Sequence, residues 1–184
     1  MTTKTQATIE ELYQVEGKAE LVDGEIVLMS PTGDMPSFAA GEIFASLREH
    51  ARRTKAGRAV TDNAGFRVNL PNRGSFSPDT SFYTGKRAGM KFFEGAPVFA
   101  VEVRSESDYG PQAEAKMAKK RRDYFAAGTR CVWDVDLQSP DVIKAYHFSD
   151  PENPIIFRRG DVADAGEAVP GWSMPVDDLF PQDE

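Results

Sequence analysis

The segment Pro97-Val-Phe-Ala-Val-Glu-Val103 constrains this chain more than any other, because a nearly continuous apolar run of this length suits a central strand covered on both faces. Two helical patterns flank it in the sequence. Ahead of it, Ala40, Ile43, Phe44, Leu47 and Ala51 recur at helical spacing and predict a helix over 37–55. Behind it, a helix is predicted over 111–127, closed by Gly128 in the C-terminal position that glycine favours.

Around this centre the signals are short. Thr8 and Glu11 have the spacing of a capping box for a helical turn over 8–15. Asp23-Gly24 sits between two apolar stretches of 20–29, the strongest short hairpin signal. Strands are predicted at 58–61, 66–70, 80–83, 130–136, 142–148 and 155–158, broken by Asn63, the Pro71-Asn72 turn and Gly85. At about 150 residues per domain, 184 residues make one domain. Its core is expected over about 20–148, with an acidic extension over 160–184 in which Trp172, Leu179 and Phe180 are the strong anchors.

Composition excludes several classes. One cysteine, Cys131, cannot form an internal disulfide, and with only two distant histidines, His50 and His147, it cannot complete a structural zinc site. Cys131 reads as core, and the histidines as partly exposed structural residues. No run of about 18 apolar residues occurs, and Met1–Gln6 lacks the layout of a secretion signal, so a cytoplasmic protein that does not span membranes is expected. The net charge of -7 is local: residues 160–184 carry seven acids and no Lys or Arg, so the rest of the chain is balanced. A polyanionic ligand for the body is therefore compatible with a pI near 5.0. The basic helix face of Arg48, Arg52 and Lys55, and Lys116 and Lys119 further on, are candidates to track a phosphate backbone.

Three features stand out chemically. Pro78-Asp79 opens a strand, Glu102 lies near the end of the most apolar one, and Arg104 follows on the same side by strand alternation. Lys120 falls on the inward stripe of its helix, three residues after Met117 and four before Tyr124. A lysine on a packing face either snorkels out or meets an anion, and a helix directly after the Glu102 strand can return it to that strand's end. Two carboxylates with nearby cations suit metal-assisted phosphodiester hydrolysis. Mg2+, or Mn2+ in its place, needs only one or two carboxylates, here Asp79 and Glu102.

Ser77-Pro78-Asp79, Val101-Glu102-Val103-Arg104-Ser105, the Lys120-x-x-x-Tyr124 helix, Gly128 and Trp133-Asp-Val-Asp136, in this order and spacing, resemble the Uma endonuclease family of the PD-(D/E)XK nuclease superfamily. The 20–31 opening resembles the family's N-terminal hairpin, and the likeness spans about 20–147. It implies an α/β fold, a mixed central sheet flanked by helices with a restriction-endonuclease-like core. It also implies a divalent metal at Asp79 and Glu102, with the signature lysine moved to the helix as Lys120, Arg104 left at the strand position, and Glu20 as an acidic residue near the metal. One departure is that Met35-Pro36-Ser37-Phe38 lacks the histidine that many members carry after the Ser-Pro pair.

The leading expectation is a magnesium-dependent endonuclease acting on DNA, with Lys120 at the attacking water, Arg104 on the phosphate and Glu20 in support. The alternative is a nuclease-fold module that binds nucleic acid or a partner protein without cleaving. A carboxylate-pair glycosidase is the weakest, since it leaves an inward lysine unexplained. The sequence leaves monomer and homodimer open.

Overall fold

The computed structural model describes residues 6–182; the start of the N-terminal segment and the last two acids of the tail, Asp183 and Glu184, lie outside them. In chain order, α1 (Ile9–Leu12) is followed by the hairpin β1 (Ala19–Val22) and β2 (Glu25–Leu28), then α2 (Asp34–Thr54). Next come β3 (Arg58–Val60), β4 (Phe66–Leu70), β5 (Arg73–Phe76), β6 (Thr80–Tyr83), β7 (Phe93–Glu94) and β8 (Phe99–Val103). After α3 (Pro111–Ala126), the chain adds β9 (Cys131–Val135), β10 (Ile143–His147), β11 (Asp150–Phe157), β12 (Val162–Asp164) and β13 (Ser173–Pro175).

Local chemistry explains most boundaries. Both halves of the capping box form, Glu11 N–H donating to Thr8 Oγ1 at 3.2 Å and Thr8 N–H to the Glu11 carboxylate at 2.7 Å. Asp23 and Gly24 both take positive φ, 51° and 74°, as a two-residue hairpin turn demands. The α2 helix starts three residues earlier than its apolar pattern, because Pro36 falls in the first turn, where a missing N–H costs nothing. It ends one residue earlier, with Lys55 as a left-handed cap at φ 59°.

Among the described residues the strands form three sheets. The central one has six strands in the order β11-β10-β9-β8-β6-β3, and only its β8–β9 pair is parallel, joined through α3. A second, five-stranded sheet runs β2-β1-β5-β4-β7, and β12 pairs with β13. The expected mixed sheet is thus present, but the N-terminal hairpin belongs to a separate sheet. Four strands, β5, β7, β12 and β13, were not foreseen. Pro71-Asn72 is a hairpin turn into β5, whose sequence Arg-Gly-Ser-Phe has no apolar alternation, and β7 is only two residues long.

Alternation along β8 and β9 divides the core. Phe99, Val101, Val103, Cys131, Trp133 and Val135 pack with Ile43 and Leu47 of α2, whereas Ala100 and Val132 pack with Tyr124 and Phe125 of α3. Segment 160–182 closes the α2 side. Trp172 packs with its ring tilted 36° and centred 5.2 Å from that of Trp133 and donates to Ser46 Oγ at 3.0 Å, with Val176 and Leu179 buried beside it. The tail thus covers a face of the central sheet rather than its edge; a fully buried apolar side chain of this size contributes about 1.5–3 kcal/mol. His50 is buried, not partly exposed, because it lies on the packing side of α2 near Phe82. Cys131 is buried in the core.

Candidate active site

The register of β6 with β8 builds the first half of the site. Thr80 pairs with Val101, which carries Asp79 opposite Glu102, and Asp79 N–H donates to the Val101 carbonyl at 3.1 Å. The Asp79 carboxylate accepts the Val103 N–H at 2.8 Å. Thr80 ties this strand to α2 by donating its hydroxyl proton to the Ala40 carbonyl at 2.8 Å. Alternation then puts Glu102 on the side of the sheet that α3 covers.

The α3 helix and the β1 hairpin supply the second half. Lys120 Nζ lies 2.8 Å from Glu102 and 2.9 Å from Glu20. One turn on, Tyr124 donates its hydroxyl proton to Glu102 Oε1 at 2.6 Å, its ring stacked 4.0 Å from Phe76. Glu20 is only 3% exposed and also accepts from Arg73 Nη1 at 2.7 Å and Ser77 N–H at 2.8 Å. Arg73 in turn donates to Asp123 at 2.9 Å, as does Asn72 Nδ2 at 2.9 Å.

The sequence reading omitted Lys18, whose Nζ is 2.8 Å from Asp79 and 2.6 Å from Asp62. Nothing in Glu16-Gly-Lys18 announces it, since it comes into place only through pairing of the second sheet. Arg73 was missed for the same reason. Tyr124 was visible as Lys120-x-x-x-Tyr124, one helical turn from the lysine, yet had no role in the reading.

Arg104 goes elsewhere. It keeps the side of the sheet that alternation gives it, but its fork closes on Asp134 at 2.8 Å and 2.7 Å and on Glu114 of α3. Against the expectation that Arg104 holds a phosphate, this residue is only 6% exposed and already doubly paired. Of the five candidates, the fold gathers Asp79, Glu102, Lys120 and Glu20, and leaves Arg104 apart.

Electrostatics distinguish the members. Burial works against the Lys120 ammonium, but Glu102 and Glu20 outweigh it and hold its pKa above the ordinary lysine range. Glu20 moves down: burial opposes this, and Lys120 and Arg73 overcome the opposition. Glu102 moves up, chiefly by burial, with Asp79 and Glu20 adding to it against the attraction of Lys120. Burial and the same two glutamates raise the Tyr124 phenol well above its usual value, so it stays a donor. Around the site Asp62, Asp79, Glu102, Glu20 and Asp123 face Lys18, Lys120 and Arg73, an excess of two negative charges among these paired side chains.

That excess, and the ammonium of Lys18 standing at Asp79, fit a site for a cation. Among the described residues no three His, Cys, Asp or Glu converge into a cage. An ion here would rest on two carboxylates and water, the manner of magnesium. A cavity of about 190 Å³ opens beside Asp79 and Asp62, lined on the α2 side by Ser37, Ala40, Gly41 and Phe44.

A comparison with curated proteins gives no significant match. Among solved structures, a "putative nuclease belonging to DUF820" from Anabaena variabilis ATCC 29413 superposes with a TM-score of 0.73 at 17% identity, covering 94% of this chain and 97% of that one. The fold is therefore restriction-endonuclease-like. The sequence matches the Uma2 family, described as "Putative restriction endonuclease", over residues 8–177, and the chain belongs to that family.

Proposed function

We propose that the protein is a divalent-metal-dependent endonuclease that hydrolyses phosphodiester bonds of DNA. The observation that carries this reading is the convergence of Asp79, just ahead of β6, Glu102 of β8 and Lys120 of α3 on one sheet end with an excess of negative charge. Asp79 and Glu102 would hold the ion, Mg2+ or Mn2+. When bound, such an ion polarises a phosphate oxygen and makes an attacking water more acidic.

The chain's own residues do the rest. With its pKa raised by Glu102 and Glu20, Lys120 stays an ammonium near neutral pH, so it acts as a hydrogen-bond donor to water or phosphate rather than as a base. Glu20, held by Arg73 and the Ser77 N–H, is a positioning residue that aims Lys120. Tyr124 performs the same service for Glu102. Lys18, now on Asp79 and Asp62, is the second cation available to a phosphate.

Incubation of supercoiled plasmid with the protein and Mg2+ or Mn2+ tests the reading. Nicked and linear products are expected that disappear with a chelator and in Asp79→Asn and Glu102→Gln. Binding of DNA without cleavage in either metal would overturn the enzyme in favour of a nuclease-fold binding module.

A further inference from the structure

The protein as a whole carries a charge of -7, yet two of its segments, 48–58 and 84–94, hold eight basic residues against two acids. They are neighbours in space. The start of β3 pairs with the end of β6, Arg58 with Tyr83. Arg58 Nη2 donates to the Gly85 carbonyl at 2.9 Å and the Lys86 carbonyl at 3.2 Å, and its guanidinium lies over the rings of Tyr83 and Phe93. One cation is thus spent on fixing the root of the loop after β6.

The other cations face solvent: Arg48, Arg52, Arg53, Lys55, Lys86, Arg87 and Lys91 are exposed, although Arg53 also reaches His50 Nδ1 at 3.3 Å. At the tip of the loop, Gly89 takes φ 65° and Lys91 N–H donates to the Ala88 carbonyl at 3.3 Å, which closes a tight turn. Met90, at the corner of that turn, is 102% exposed. The chain beyond is anchored again, Phe93 N–H donating to the Gly65 carbonyl at 2.9 Å. An apolar side chain fully in water, on a turn pinned at both ends and surrounded by cations, has no partner among the described residues.

We infer that the end of α2 and the 84–91 loop form a docking ridge for duplex nucleic acid, with the basic side chains on phosphates and Met90 pressed as a wedge against a base step. Charge complementarity selects a polyanion, and an apolar wedge among cations is the arrangement by which proteins unstack and bend a duplex. The ridge and Asp79 stand at opposite ends of β6, a span of about 13 Å for four residues. One strand of duplex carries about four phosphates over that length. The ridge therefore holds duplex flanking the cut, in a role separate from the scissile phosphate. This inference rests on the nuclease reading for its choice of DNA, but its test does not depend on cleavage.

Fluorescence anisotropy of a short labelled DNA duplex, titrated over a salt series in the presence of a chelator, is the test. For the combined variant Lys86→Glu, Arg87→Glu, Lys91→Glu, affinity at low salt should fall at least about tenfold, and the slope of log affinity against log salt should become shallower by about three. Met90→Ala should reduce the fluorescence rise of a 2-aminopurine duplex on binding. An unchanged affinity and slope in the triple variant would overturn the ridge. So would its loss of binding to phosphatidylcholine–phosphatidylserine vesicles with duplex binding intact, which would mark a membrane-facing loop. Loss of duplex binding in a protein that never cleaves would uphold the ridge and dismiss the nuclease reading.

Discussion

Two buried ion clusters share one face of the central sheet, and they behave differently. Glu102 and Asp134 are cross-strand neighbours on β8 and β9, two carboxylates side by side that meet different cations. Asp134 meets both arms of the Arg104 fork, and the ion-paired groups there shift toward their charged forms: Arg104 is raised, first by its hydrogen bonds to Asp134, and Glu114 is lowered by Arg104. Glu102 meets the point charge of Lys120, which Glu20 shares, and its carboxyl is raised by burial, Asp79 and Glu20. A planar fork grips a carboxylate at two points, whereas an ammonium is a point charge with no such fixed geometry. Burial is common to both clusters. The direction of the carboxyl shifts separates them, upward at Glu102 and downward at Glu114.

Substitutions can break this contrast in order of effect. Glu102→Gln should abolish metal-dependent cleavage while leaving the unfolding midpoint unchanged or slightly higher, since it relieves repulsion with Asp79 and Glu20; plasmid assays and thermal unfolding together would show it. Arg104→Met should do the reverse. It strands buried Asp134, and loss of about 3–5 kcal/mol in denaturant unfolding is expected. Lys120→Met should slow cleavage about 10²–10³-fold, about 2.7–4 kcal/mol of barrier, yet keep Mn2+ binding by calorimetry, because Glu20 retains Arg73 and the Ser77 N–H.

The smallest effect belongs to Glu114, whose side chain is half exposed, so Glu114→Gln should change stability by within about 1 kcal/mol. Its folded pKa is depressed, so its contribution is present above the ordinary glutamate value and fades as pH falls through the folded one. Acid titration of stability should accordingly be slightly flatter in Glu114→Gln than in the parent protein.

The sequence made the site only partly legible. Glu102 and Lys120 stood out because each violates its own pattern, a carboxylate on an apolar strand and a lysine on a packing stripe, whereas Asp79 in an ordinary Pro-Asp turn gained meaning only beside them. Lys18 and Arg73 violate nothing, for they lie in short polar stretches and reach the site only when the second sheet folds against the first. Arg104 was read to the right side of its strand, but alternation fixes a direction and not a partner; Asp134 and Glu114 come from β9 and α3. Likewise β8, α3 and the hairpin carry strong local signals, whereas β5 and β7 exist through pairing alone.

The central claim is that Asp79 and Glu102 form a cation site whose charge deficit is chemical rather than structural. Anomalous diffraction from crystals soaked in manganese tests it most directly. The account predicts a peak bridging the two carboxylates, with Lys18 Nζ withdrawn from Asp79 and the Arg104 cluster unchanged. Crystals without a peak at that position, with Lys18 still paired to Asp79, would contradict it.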